Sequence, residues 1–275
     1  MGILAEFGLL ARRLGETIAV PRIRELFLPP WPSGAASVEH GFLVMLLEGG
    51  AAGLSYVLLP PEVAGDYRAL DVRAHAGARS EQYLEPMGRG DPVADLLGLA
   101  AVNAICQHAM RSGKVRLDHA TDSLGLLALE DGDRVGMVGL FPPLLRIADR
   151  ERFELVIVEK DPSLVEKHPG LNITLDVTAL RRCNKVVCTS ATVLNESIDE
   201  VLANCGTARH VSVVGPTAGF LPDPLFARGV HVVGGRYVVD GEKLLARVKT
   251  DERWGDATGR TCFVRESYES PLGKA

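Results

Sequence analysis

The chain has 275 residues, close to half of them apolar, and a formal net charge of −5 with no basic block. That length holds one large domain or two of ordinary size, and the charge argues against a nucleic-acid groove. Apolar runs are interrupted by Glu, Gly or Pro well short of the roughly 20 residues that span a bilayer, so no membrane partner is expected.

Residues 1–15 read as an amphipathic helix with Leu4, Phe7, Leu9, Leu10 and Leu14 apolar. Glu6 precedes the basic pair Arg12-Arg13, unlike an export signal, and stands where a myristoylation motif needs Ser or Thr. The expected location is cytoplasmic. The five cysteines (Cys106, Cys183, Cys188, Cys205 and Cys262) are odd in number, scattered and without a CxxC. They read as buried thiols, with a metal or redox role as the minor alternative.

Ile18–Leu28 reads as a strand, and Pro21 favours an edge position. Pro29–Gly34 is a loop. Phe42–Leu47 and Ala52–Leu59, separated by Glu48-Gly49-Gly50, read as a hairpin closed by Pro60-Pro61. The stretch from Glu62 to Pro86 is polar and irregular, with one further strand expected near Tyr67–Val72. His40 and His75 fall in no metal-ligand spacing. Asp91 and Pro92 supply a cap and a first helical residue for a helix that runs to Met110. Asn103 interrupts its apolar run. A buried Asn must be hydrogen-bonded, so it either ties two elements together or faces a ligand. Residues 112–132 read as a linker with a short helix at Asp122–Leu129.

From Asp133 the pattern changes. The stretch DRVGMVGLFPPLL reads as a buried strand, a glycine turn and a helix start. Further strands follow at Phe153–Val158, Lys185–Thr189, His210–Val214 and Val230–Val233, with Gly234-Gly235 closing the last. Short helices are expected at Val177–Arg182, Ile198–Ala203 and Pro224–Arg228, and Tyr237–Val239 with Gly241–Val248 adds one more strand or helix. Strands apolar on both faces, alternating with helices, predict an α/β fold built on a parallel sheet. The domains are therefore read as 1–111 and 133–249, followed by a charged tail, 250–275, apolar only at Cys262-Phe263-Val264.

Ligands of open parallel sheets bind beyond the carboxyl ends of the strands. That rule collects Gly139 and Phe141, Glu159, Thr189, Ser190, Thr192 and Asn195, and Gly215, Pro216 and Thr217. The glycine run is GxxGxFPP rather than GxGxxG, and Pro142 and Pro143 lack N–H groups for a phosphate. A dinucleotide is therefore not expected. Glu159, 20 residues after Gly139, could accept hydrogen bonds from ribose hydroxyls; the plain alternative is a solvated strand end. Ser190, Thr192 and Asn195 either cap the next helix or hold a polar ligand. No catalytic triad or carboxylate pair follows from the spacing, and so no reaction does.

The segments GLAAVNA (98–104), DRVGMVGLFPPL (133–144), VIVEKDP (156–162), VVCTSATVLNESID (186–199), VVGPTAGFLPDPLFARGVHVVGG (213–235) and YVVD (237–240) together resemble the DUF364 family. The resemblance is strong from about residue 90 to 248 and looser across 1–89. Members are associated with heavy-metal chelation and carry an N-terminal DUF4213 domain. The resemblance implies an enolase-N-terminal-like α+β domain followed by a Rossmann-like domain with partial likeness to methyltransferases. It also implies a cleft between the two, faced by Asn103, Gly139, Phe141, Pro142, Glu159, Thr189, Asn195, Gly215, Pro216 and Thr217. Two positions depart from the family pattern. Asn184 replaces a frequent Asp and removes a charge, whereas Ser197 replaces a common Thr and keeps the hydroxyl. The implied function is binding or chelation of a metal or metal-containing small molecule in the cleft. The alternatives are a group-transfer enzyme using a nucleoside-bearing cofactor such as S-adenosylmethionine, and a scaffold with a non-catalytic pocket. The implied cofactor is a transition metal or metal complex, ahead of S-adenosylmethionine. The implied partner is a polar small molecule or metal complex, and a homodimer is left open.

Overall fold

The computed structural model describes residues 1–31, 41–140, 142–148 and 153–273. His40, Phe141 and the second half of the loop read at Pro29–Gly34 lie outside them.

The N-terminal unit comprises α1 (Ile3–Thr17), β1 (Ile23–Phe27), β2 (Phe42–Leu47), β3 (Ala52–Tyr56), α2 (Ala64–Ala69) and α3 (Pro92–Arg111). The three strands form an antiparallel sheet in the order β1-β2-β3. The β2–β3 turn places Gly49 and Gly50 both at φ +87°, a conformation that glycine adopts without steric cost. Asp91 caps α3 by accepting from the Val93 and Ala94 amides, and Pro92 fills the first helical position. By length and composition α3 could cross a bilayer, but it is the core helix, buried along nearly all its length within the protein.

The second unit comprises β4 (Arg134–Val138), α4 (Pro142–Ala148), β5 (Glu154–Val158), α5 (Ser163–Lys167), β6 (Ile173–Thr174) and β7 (Lys185–Thr189). It continues through α6 (Ala191–Leu194), α7 (Ile198–Ala203), β8 (His210–Val214), α8 (Asp223–Ala227), β9 (Val232–Val238), α9 (Gly241–Lys249) and β10 (Thr258–Val264). Its sheet runs β6-β5-β4-β7-β8-β9-β10, parallel except for the antiparallel edge strand β10. Counted from β4, the order is third, second, first, fourth, fifth, sixth, seventh. The chain reverses direction across the sheet between β4 and β7, and a crevice opens at such a switch point.

Several local expectations are corrected. Tyr67–Val72 is not a strand. Residues 64–69 form α2, and a 3-10 turn follows at Val72–His75, started by Asp71 accepting the Arg73 amide. That local side-chain bond offers the backbone an alternative to a sheet. The helix read at Asp122–Leu129 shrinks to a 3-10 turn at Gly125–Leu127, and Val177–Arg182 is 3-10 rather than α. Gly234-Gly235 do not close a strand; β9 runs through them to Val238. A Cβ at Gly235 would lie 1.8 Å from the Ala218 carbonyl oxygen and one at Gly234 2.3 Å from Ser123 Oγ, so the pair admits a neighbouring backbone and a neighbouring side chain. The sheet also extends past residue 249, because β10 pairs with β9 along seven residues.

The two units share their core. One apolar cluster joins Phe7, Leu96 and Ile105 to Phe220, Val213 and Leu225. A second joins Phe42, Val44 and Leu54 of the small sheet to Leu244, Val248 and Trp254. The small sheet is thus covered on both faces, which explains why β2 is buried along its whole length.

Candidate functional site

The crevice lies at the ends of β4, β5 and β7, where the topology places it. Its volume is about 520 Å³, and Gly139, Glu159, Thr189, Thr192 and Asn195 line it. Leu58, Leu59 and Pro60, from the loop after β3, reach across from the N-terminal unit to form one wall. A larger hollow of about 700 Å³ lies elsewhere, along Arg134, Glu154, Arg181 and Arg182. Arg134 and Glu154 begin their strands, so it sits toward the opposite end of the sheet from the switch point.

Each lining group is positioned by local bonding. Gly139 follows β4 at φ +83°, and a Cβ there would meet Thr189 Cγ2 at 2.9 Å. Glycine therefore lets the two strand ends approach. Glu159 is half-buried, its own amide donates to the Thr174 carbonyl at 3.0 Å, and its carboxylate accepts from the Lys160 amide at 3.3 Å and from the Leu140 amide. Burial outweighs those two bonds and raises the Glu159 carboxyl above the usual carboxylate range. Thr192 Oγ1 donates to the Thr189 carbonyl at 2.6 Å, and Thr189 Oγ1 accepts the Ala191 amide at 3.3 Å. Asn195 Oδ1 accepts from the Ser197 amide and hydroxyl, at 3.2 and 2.6 Å. The Ser197 hydroxyl thus orients the Asn195 amide.

Other predicted residues stand apart from the crevice. Asn103 is fully buried, and its Nδ2 donates to the Leu54 and Thr217 carbonyls at 2.6 and 2.9 Å. It ties α3 to β3 and to the loop after β8. Thr217 is buried, and its Oγ1 accepts the Tyr56 amide at 3.3 Å. Gly215, at φ +146°, covers Ser190, whose Oγ would lie 2.4 Å from an added Cβ. Ser190 is buried beneath it, and Pro216 beside it is half-buried. None of these residues lines the crevice. Asn184 sits at the far end of the sheet, where its Oδ1 accepts the Arg134 amide and its Nδ2 donates to Asp133. Asp133 is buried there with Lys185 at 2.6 Å and Arg209 at 2.8 Å. Burial works against the Asp133 charge, but the hydrogen bonds from Lys185, the Glu130 amide and Asn184 hold its carboxyl below the usual range.

The donor set was tested against a soft metal ion, which wants thiolate or imidazole ligands. All five cysteines are buried and free. Burial pushes Cys106, Cys188 and Cys205 up to about 12 and Cys262 up to about 11. Among the described residues no group of three or more His, Cys, Asp or Glu comes together to hold a metal. The crevice instead offers the carboxylates of Glu159, Asp161 and Glu200, hydroxyls, an amide and apolar walls. That set does not fit a bare soft ion, but it does fit the organic surface of a small molecule.

Sequence reasoning missed the wall formed by Leu58, Leu59 and Pro60, and the contributions of Leu175 and Val177. The Pro60-Pro61 pair marked the end of a hairpin, but no sequence signal says which distant strand ends that loop will face.

A model of the DUF364 family, described as "Putative heavy-metal chelation", matches residues 122–266. The uncharacterized protein MJ0500 of Methanocaldococcus jannaschii is 26% identical over 170 residues, covering 62% of this chain and 64% of that relative. A crystal structure of a DUF364 protein of unknown function from Desulfitobacterium hafniense aligns over 93% of this chain and 96% of its own, with TM-score 0.67 and 20% identity. A second, PH1506 from Pyrococcus horikoshii, aligns over 95% and 99%, with TM-score 0.71 and 16% identity. These two likenesses establish the fold across both units.

Proposed function

The chain belongs to the DUF364 family, and on that premise we propose that it binds a metal as a complex with a small organic molecule, held in the crevice between the units. The N-terminal unit then corresponds to the enolase-N-terminal-like domain expected from the resemblance, and the second unit to the Rossmann-like one. The observation that carries this reading is the donor set at the switch point: Glu159, Thr189 and Asn195 face a volume of about 520 Å³. These groups suit the organic part of a complex, and the buried thiols leave the metal to be supplied with its own ligand. The family description supplies the metal, and the chemistry of the crevice supplies the form in which it is held.

Mass spectrometry and metal analysis of protein purified without an affinity tag test the reading. The expected result is a small molecule released on denaturation together with a metal in equal amount. Leu58 is 42% exposed and lines the crevice, so Leu58→Trp fills its mouth without disturbing the core. That variant should carry the molecule at about a tenth of the wild-type occupancy or less, the loss expected when a bulky ring displaces ligand contacts worth a factor of ten. Wild-type protein that releases nothing, and takes up no metal complex on titration, would refute the proposal.

A further inference from the structure

We propose that the organic part of the ligand is a ribonucleoside, its 2′ and 3′ hydroxyls on the Glu159 carboxylate and its 5′ substituent neutral or cationic. The proposal rests on the crevice reading above and narrows it. Glu159 ends the strand next to β4 in a sheet whose order is that of dinucleotide-binding folds, the position from which a carboxylate reaches a ribose. The Leu140 and Lys160 amides hold its carboxylate against the turn after β4. An ionised carboxylate offers about four lone-pair positions, so two remain for a pair of vicinal hydroxyls.

The rest of the crevice argues for a nucleoside and against a phosphate. Leu59, Leu175 and Val177 supply apolar surface for the faces of a base. Asn195, with its Oδ1 engaged by Ser197, keeps its Nδ2 as a donor, and Thr189 keeps its hydroxyl proton. The turn after Gly139 leads into Pro142 and Pro143, which have no N–H to give a phosphate, and α4 is only seven residues long. Glu159, Asp161 and Glu200 outnumber Lys160 around the opening, so a phosphate would meet net negative charge.

The test is calorimetry of the intact protein with the four common ribonucleosides, their 2′,3′-dideoxy counterparts and their 5′-monophosphates. At least one ribonucleoside should bind, and its dideoxy and monophosphate forms should bind at least about tenfold more weakly, since each loses or opposes a charge-assisted hydrogen bond. Glu159→Gln should weaken the ribonucleoside by a similar factor. If that variant disturbs the turn, the wild-type pH profile serves in its place. Hydroxyls donate to the ionised carboxylate, so affinity should rise with pH through the raised Glu159 ionisation and level off above it. Equal binding of the dideoxy form, tighter binding of the monophosphate, or a flat pH profile overturns the proposal. If no ribonucleoside binds while wild-type protein still releases a molecule that Leu58→Trp lacks, this proposal fails and the crevice reading stands. If nothing is released either, both fail.

Discussion

His210 and His231 stack with ring centroids 5.5 Å apart at the start of β8 and in the turn before β9. The Val211 amide donates to His231 Nδ1, and His210 Nε2 lies 2.8 Å from the Ser212 hydroxyl. Burial lowers the proton affinity of both rings. His231 and Lys185 act in the same direction on His210, Arg265 does so on His231, and Glu266 opposes in each case. Both folded-state values therefore lie below the unfolded one, and as pH falls the unfolded chain takes up protons first. The stability associated with the neutral pair is complete above the unfolded value of about 6.5 and is lost as pH drops through the lowered folded values. The urea midpoint should therefore fall between about pH 7.5 and about pH 5.5, and the double variant His210→Gln, His231→Gln should flatten that slope. At this scale the sequence was partly readable. It offered two readings of Asn103; its Nδ2 ties α3 to two backbone carbonyls, while its buried Oδ1 has no partner among the described residues. It marked the cysteines as buried thiols, and their raised ionisation bears on why the crevice has no thiolate. It could not separate Thr189, which lines the crevice, from Ser190, which is packed beneath Gly215.

Elements were readable wherever their own residues set the boundary. Asp91-Pro92 started α3 where expected, and the strands β4, β5, β7 and β8 sit on the apolar runs that predicted them. Elements failed where a neighbour decided. β9 runs through two glycines because Ala218 presses against Gly235 and Ser123 against Gly234, and β10 exists because β9 offers it an edge. The contact between α3 and β3 shows how narrow such fits are. A Cβ at Gly53 would lie 2.0 Å from the Ala100 carbonyl oxygen and 2.5 Å from the Ala104 amide nitrogen. Both are backbone atoms of α3 and cannot rotate aside. Gly53→Ala should therefore cost about 3 kcal/mol in chemical denaturation, the upper part of the range for overpacking a close contact. A cost below about 0.5 kcal/mol would mean that the helix and strand can separate freely.

At the scale of the whole molecule the two units are bound by buried polar bridges as well as by their shared core. Gln107 of α3 donates through Nε2 to the Gly219 and Arg236 carbonyls, both at 3.0 Å, and accepts the Val238 amide at 2.8 Å. Gln107→Leu strands those buried backbone groups and should cost about 3 kcal/mol, as unsatisfied groups of about 1–3 kcal/mol each imply. Calorimetry would report the loss as a lower melting temperature, and an unchanged one would show that the bridge carries no stability. By itself the sequence determined the alternation of strands and helices after Asp133, the small hairpin unit before it, and the poor fit of the Gly139 turn to a phosphate. Those properties reside in local patterns of apolar spacing, caps and prolines. Only the tertiary structure decided which of the motif residues face the crevice and which are packed beneath it. It alone brought the loop after β3 against the ends of β4, β5 and β7, because such contacts depend on close approach between backbones far apart in sequence.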